Sequence, residues 1–103
     1  MKDATIFLVG LPGAGKSTVG KFLAHEMVCS FVDLDLVIEQ TAGMPVPEIF
    51  AKNGEAYFRL LEKAALRSLP VEKSVVATGG GAPCFHGNMD WMNQHGITLF
   101  LNP

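Results

Sequence analysis

Gly10-Leu11-Pro12-Gly13-Ala14-Gly15-Lys16-Ser17-Thr18 stands between a β-branched apolar run at residues 5–9 and a helical pattern at residues 17–27. The stretch is a GxxxxGK[ST] loop in the context that pattern requires, with a strand before it and a helix after it. Its glycines let the backbone curl so that successive N–H groups point inward, and the following helix adds partial positive charge at its N-terminus. Lys16 has the length to reach β- and γ-phosphates, and the Ser17 hydroxyl can ligate Mg²⁺. Gly13, Ala14, Gly15, Lys16, Ser17 and Thr18 are therefore the nucleotide-binding candidates. The competing reading is a glycine-rich turn with a solvated lysine, and the strand–loop–helix context favours the phosphate loop. The loop implies a nucleoside triphosphate and leaves the acceptor open.

Outward from the loop, apolar segments alternate with helical ones. Residues 17–27 place Val19, Phe22, Leu23 and Met27 on one helical face. Residues 30–33 read as a second strand, and residues 34–41 as a short helix stopped by Gly43 with Pro45 beyond it. Pro47 suits the first turn of a further helix running to Asn53-Gly54. Residues 55–69 form the longest helical stretch, with Phe58, Leu61, Ala65 and Leu69 on one stripe. Residues 74–77 predict a third strand ending at Gly79-Gly80-Gly81, residues 88–95 a helix, and residues 97–101 a fourth strand. Strands alternating with helices imply right-handed crossovers, a parallel sheet and helices on both faces. The fold class is α/β, in a single domain over residues 1–103.

The composition agrees with that class. Of 103 residues, 49% are apolar and 17% charged, with a net charge of −2. This balance excludes a disordered chain and a basic nucleic-acid binder. The apolar run near the start is too short for a signal-peptide core or a membrane span. Cys29 and Cys84 form no disulfide framework and no CxxC pair, which suits a reducing cytosol. No structural metal is expected from the scattered His25, His86 and His95. So high an apolar share is more than a domain of this length needs.

Three further features carry chemistry. Asp33 and Asp35 stand at the carboxyl end of the second strand, where open α/β sheets bind ligands. On an extended backbone both would point to one side. One could hold Mg²⁺, directly or through water, while the other accepts a proton from an acceptor hydroxyl. Alternatively one caps the following helix. Arg59 has Glu55 four residues before it and Glu62 three after it, the spacing of a surface ion-pair ladder. The glycines at 79–81 fit either a tight turn or a place where a ligand must approach bare N–H groups. Cys84, without a His or Asp partner, reads as packing.

Together these blocks resemble shikimate kinase: GLPGAGKST at 10–18, VDLDLVIE at 32–39, IFAKNGEAYFRLLE at 49–62 and TGGGAP at 78–83. The resemblance covers essentially the whole chain. It implies a three-layer P-loop kinase fold with strand order 2-3-1-4-5, the fifth strand expected beyond these residues. It also implies Mg²⁺-dependent transfer of the ATP γ-phosphoryl group to a shikimate hydroxyl, giving shikimate 3-phosphate in the chorismate pathway, in the cytoplasm of the cell. Lys16 and Ser17 would hold ATP phosphates and Mg²⁺, and Asp33 would assist the metal through water. Asp35 would bind the attacking hydroxyl and act as its base or orienter. Arg59 would pair with the substrate carboxylate, for which a bidentate guanidinium is suited, and the backbone at Gly79, Gly80 and Gly81 would line the shikimate side. The partners expected are ATP and shikimate, with neither nucleic acid nor membrane, in a family that is typically monomeric.

The family continues past a fourth strand with an arginine-bearing lid, a further substrate arginine and an adenine-contacting loop. Arg59 and Arg67 are the sequence's two arginines, so a lid arginine is expected outside these residues. An unpaired fourth strand is expected to favour self-association. Two alternatives stand beside this reading. One is another small-molecule P-loop kinase, of the gluconate kinase kind; the other is a nucleotide-binding fragment without turnover.

Overall fold

The protein is described here from a computed structural model that covers residues 4–10, 15–69, 73–79 and 81–101. Gly13, Ala14 and Gly80, three of the candidates above, lie outside the described residues. In chain order the elements are β1 (Thr5–Gly10), α1 (Lys16–Met27), β2 (Ser30–Asp33), α2 (Leu34–Ala42), α3 (Val46–Arg67), β3 (Ser74–Ala77), a 3₁₀ turn at Ala82–Cys84, α4 (Asn88–His95) and β4 (Gly96–Leu101). The strands form a four-stranded sheet in the order β2-β3-β1-β4. Every pairing is parallel, with Leu8 of β1 level with Ala77 of β3 on one side and with Leu99 of β4 on the other. This is the α/β doubly covered sheet that the alternating pattern predicts, with the first four strands in the expected order.

Alternation along β1 divides the core in two. Phe7 and Val9 point to a cluster with Leu34, Ile38, Ile49, Phe58, Leu66, Val76 and Met92, so α2, α3 and α4 cover that face. Leu8 points the other way, to Ala24, Val75 and the flanking Val19, Leu23, Met27 and Phe31, beneath α1. Fully burying each such side chain contributes about 1.5–3 kcal/mol, and β1 sits at the centre of both clusters. No helix among the described residues is long and apolar enough to cross a membrane.

Two details differ from the sequence reading. Phe22, expected on the buried face of α1, is 63% exposed. The contact line of α1 runs through Gly20 and Ala24, and a Cβ at Gly20 would stand 2.3 Å from the Phe31 ring. Small residues let the helix approach the sheet, and at 100° per residue Phe22 then faces away. The second difference concerns Asp35. It does not continue an extended strand beside Asp33, because β2 ends at Asp33 and Asp35 lies in the first turn of α2.

Elsewhere the punctuation acts as expected. Gly43 ends α2 in the left-handed conformation, φ 75°, with its N–H on the Glu39 carbonyl. Gly54, at φ 82° and ψ 172°, divides α3 into the two helical segments that Asn53-Gly54 predicts. Beyond β4 no further strand pairs among the described residues, and Phe100 is 64% exposed there.

Candidate functional site

The carboxyl ends of β1, β2 and β3 converge on one edge of the sheet, the end at which parallel α/β sheets bind ligands. On the β1 side, Gly15 serves as N-cap of α1 in the left-handed conformation, φ 82°. Lys16, the first helical residue, folds its side chain back so that Nζ donates to the carbonyl of Gly10, the last residue of β1. Ser17 and Thr18 follow in the exposed first turn, which contains no acidic residue. A helix N-terminus free of carboxylates, with a lysine turned across its entrance, suits a polyanion.

The Asp33 carboxylate caps α2: Oδ1 accepts from the backbone N–H of Asp35 at 3.0 Å and of Leu36 at 3.4 Å. The helix-capping alternative is thus realised at Asp33, and the cap engages one carboxylate oxygen. A serine hydroxyl and a carboxylate oxygen form a hard, oxygen-only donor set, which fits Mg²⁺ held together with phosphate oxygens. No cluster of three or more His, Cys, Asp or Glu capable of holding a metal occurs among the described residues, so the fit depends on oxygens that the nucleotide itself brings.

On the β3 side, Thr78 pins the strand end to β1, its N–H and hydroxyl both donating to the Leu8 carbonyl at 3.0 Å. That anchor positions Gly79 against a cluster of ionisable side chains. A Cβ at residue 79 would stand 3.2 Å from Asp35 Oδ1 and 3.6 Å from Glu62 Oε2. At residue 81 it would stand 2.6 Å from Arg59 Nη2. A side chain at residue 81 would therefore displace the Arg59 guanidinium and one at residue 79 would press on Asp35, and the groups that approach these glycines are the protein's own side chains.

Asp35 Oδ1 is buried and has no hydrogen-bond partner among the described residues. Burial raises the Asp35 pKa above its ordinary 3.8, Asp33 and Glu39 raise it further, and Lys16 and Arg59 oppose the shift. Glu62 is fully buried, and burial raises its pKa as well, against the hydrogen bond and charge of Arg59. An orphaned, desolvated carboxylate oxygen is the arrangement from which a hydroxyl proton can be accepted.

Arg59 completes the cluster. Nη1 donates to both Glu62 oxygens at 3.1 and 3.3 Å, while Nε and Nη2 donate to Glu55 Oε2 at 3.4 and 3.2 Å. The predicted ion-pair ladder exists, yet it is no surface ladder, since the Arg59 side chain is only 13% exposed and Glu62 is 0%. The guanidinium carbon lies 4.2 Å from the Phe85 ring centroid and 5.3 Å from that of Phe58. The second arginine, Arg67, braces the same loop: it donates to Asn88 Oδ1 at 2.8 Å and to the His86 carbonyl at 3.0 Å. Buried Asn88 in turn donates to the Ala82 carbonyl at 2.9 Å. Both arginines thus project from α3 onto the segment that follows the glycines. Cys84 is exposed.

The structure brings Asp35, Arg59, Gly79 and Gly81 together, with Asp33 joined to Asp35 through its cap. Lys16 lowers the Asp35 pKa by its charge, so the β1 side is electrostatically part of the same site. Sequence reasoning treats Glu62 only as an ion-pair partner and does not single out Phe85. Glu62 carries a signal in its position, four residues after Phe58 and three before Ala65, on the apolar stripe where a carboxylate is out of place. Phe85 has no comparable signal.

Comparison with known proteins shows a consistent likeness. The family model of shikimate kinase matches residues 12–103. A shikimate kinase of Bacteroides fragilis is 51% identical over 98 residues, covering 94% of this chain and 55% of that protein. "Shikimate kinase 2" of Yersinia enterocolitica is 48% identical over 97 residues, covering 94% and 56%. Among solved structures, the shikimate kinase of Bacteroides thetaiotaomicron superposes with TM-score 0.91 at 48% identity, covering 96% of this chain and 57% of the other. The Acinetobacter baumannii enzyme in complex with shikimate superposes with TM-score 0.90 at 43% identity, covering 95% and 55%. A gluconokinase of Sinorhizobium meliloti, at TM-score 0.60 and 18% identity, shares the fold alone. The chain spans about half the length of the curated relatives it matches.

Proposed function

Since this chain belongs to the shikimate kinase family, we propose that it forms the core of an ATP-dependent kinase that phosphorylates a shikimate hydroxyl. The observation that carries the reading is Asp35 Oδ1, buried without a partner among the described residues, close to Gly79 and to the Arg59–Glu62 pair. A hydroxyl placed over Gly79 would supply the missing donor. Its oxygen attacks the γ-phosphorus, the bond from that phosphorus to the ADP oxygen breaks, and the hydroxyl proton passes to Asp35. Arg59 would pair with the substrate carboxylate, and the backbone around Gly79, Gly80 and Gly81 would bind the shikimate side. Gly13, Ala14, Gly15, Lys16, Ser17 and Thr18 hold the nucleotide phosphates, Lys16 also opposing charge that develops on the transferred group. Ser17 and Asp33 would hold Mg²⁺, Asp33 through water, and the ion supplies charge neutralisation on the phosphate oxygens when bound.

Catalysis in this scheme rests on positioning and charge neutralisation. Residues 1–103 serve as one P-loop kinase core, working in the cytoplasm where ATP is the phosphoryl donor. The test is ADP release by the purified protein with shikimate, with gluconate and with neither. Shikimate-dependent release supports the proposal. Release that follows gluconate instead would overturn the substrate. Nucleotide binding with no acceptor-dependent release would reduce the chain to a nucleotide-binding module.

A further inference from the structure

The Arg59 guanidinium is closely packed: its carbon lies 4.2 Å from the Phe85 ring centroid and 5.3 Å from that of Phe58. Nη1 is held by the buried Glu62, and Gly81 lies against Nη2. The remaining edge, Nε with Nη2, carries Glu55, whose side chain is 57% exposed. Both donors of that edge converge on a single oxygen, Oε2, at 3.4 and 3.2 Å, which is long for charge-assisted hydrogen bonds. Beside the edge opens a cavity of about 360 Å³ lined by Glu55, Ala56, Arg59, Leu60, Phe85 and His86.

From this arrangement we propose that Glu55 is a placeholder carboxylate: it occupies the Nε–Nη2 edge of the Arg59 guanidinium, beside the cavity, and is displaced when a ligand carboxylate takes that edge. The inference rests on the shikimate reading above and deepens it by naming a residue that sets substrate affinity. The two glutamates on Arg59 then have different tasks. Glu62, inaccessible to water, holds the guanidinium permanently. Glu55, largely in water, makes an ion pair of the weak, exposed kind, cheap enough for a ligand with better geometry to replace. While it is in place, the Nε–Nη2 edge of Arg59 carries a carboxylate of the protein's own, in addition to Glu62 on Nη1. Every carboxylate ligand must compete with it, whereas a neutral ligand need not.

The roles of placeholder and positioner predict opposite signs. We would titrate shikimate and its methyl ester into the full chain by calorimetry, for the wild type, Glu55→Gln and Glu48→Gln. Glu48 is an equally acidic residue of α3, paired with Lys52 and not with Arg59, so Glu48→Gln controls for the general loss of negative charge. The expected result is shikimate binding about two- to five-fold tighter in Glu55→Gln, the span of an exposed ion pair. The ester should bind unchanged, and Glu48→Gln should match the wild type. The Arg59 Nε–H resonance should move on adding shikimate to the wild type. In Glu55→Gln it should start from a displaced position.

Weaker or equal shikimate binding in Glu55→Gln overturns the placeholder, as does equal tightening in Glu48→Gln. Failure of wild type and Glu55→Gln alike to bind shikimate overturns the substrate reading and the placeholder with it. Binding by the wild type without the tightening overturns the placeholder alone.

Discussion

Gly15 and Gly81 lie on the two sides of the same site and are glycines for unlike reasons. At Gly15 the backbone is left-handed, φ 82°, and a Cβ there would meet nothing within 4 Å among the described residues. At Gly81 the backbone is ordinary, φ −98°, but a Cβ would stand 2.6 Å from the Arg59 guanidinium. The α1 side, which we read as the phosphate side, thus needs its glycine for backbone conformation. The β3 side, which we read as the acceptor side, needs its glycine because the protein's own ionisable side chains pack close against it.

The largest expected effect tests whether the crowded side performs chemistry. In any preparation with shikimate-dependent turnover, Asp35→Asn should lower kcat about 100-fold or more while ADP affinity, read by calorimetry, stays within about two-fold. Near-normal turnover would remove Asp35 from the reaction. Next, Gly81→Ala should drive the guanidinium from its place and weaken shikimate binding about ten-fold, with an overpacking cost of about 1–3 kcal/mol in denaturation.

Substitution by asparagine separates the two glycines directly. Asparagine tolerates the left-handed conformation, so Gly15→Asn should be more stable than Gly15→Ala by urea denaturation. Gly81→Asn should be no better than Gly81→Ala. Equal rescue at both positions would break the distinction. A smaller effect concerns the brace behind the acceptor side. Arg67→Ala removes charge-assisted bonds to Asn88 and His86, and should cost about 2 kcal/mol in stability while leaving ADP affinity intact.

The smallest expected effect is one of pH, and its sign is set by burial. Asp35 and Glu62 both have pKa values raised above their ordinary 3.8 and 4.5. The folded protein therefore holds protons that the unfolded chain has released. Their contribution to stability is full below those ordinary values and is lost as pH rises through the raised ones. Thermal stability should accordingly fall on going from mildly acidic to neutral pH. Asp35→Asn should flatten that slope and raise the melting temperature at pH 7. A slope unchanged by Asp35→Asn would show that this carboxylate is not strained by burial. The stability sacrificed there is of the kind functional sites often carry.

How much of this is legible in the sequence follows from which interactions are local. The stop at Gly43, the break at Gly54 and the parallel α/β class follow from patterns within a dozen residues or from the alternation of elements, and the structure agrees with them; the order of the first four strands, which the family resemblance implies, is also the observed one. Phe22 misleads because hydrophobic spacing marks a helical face without saying that Gly20 and Ala24 let α1 settle closer on another line. Asp35 misleads because a strand's end cannot be read to the residue when the next helix begins at once. Glu62 is hidden by its own neighbourhood, since a glutamate three residues from an arginine on a helix suggests a solvated pair. Only the packing of Gly79 and Gly81 against α3 shows that this pair is indoors. The Phe85 ring over Arg59 joins residues 26 positions apart, and no local pattern encodes it.

The cap at the start of α2 has a mechanical side. Asp33 Oδ1 holds the N–H of Asp35 itself, so the carboxylate nearer the nucleotide side and the backbone of the carboxylate on the acceptor side are tied by one short strut. A pull on the first shifts the second, and their separation behaves as a fixed gauge length.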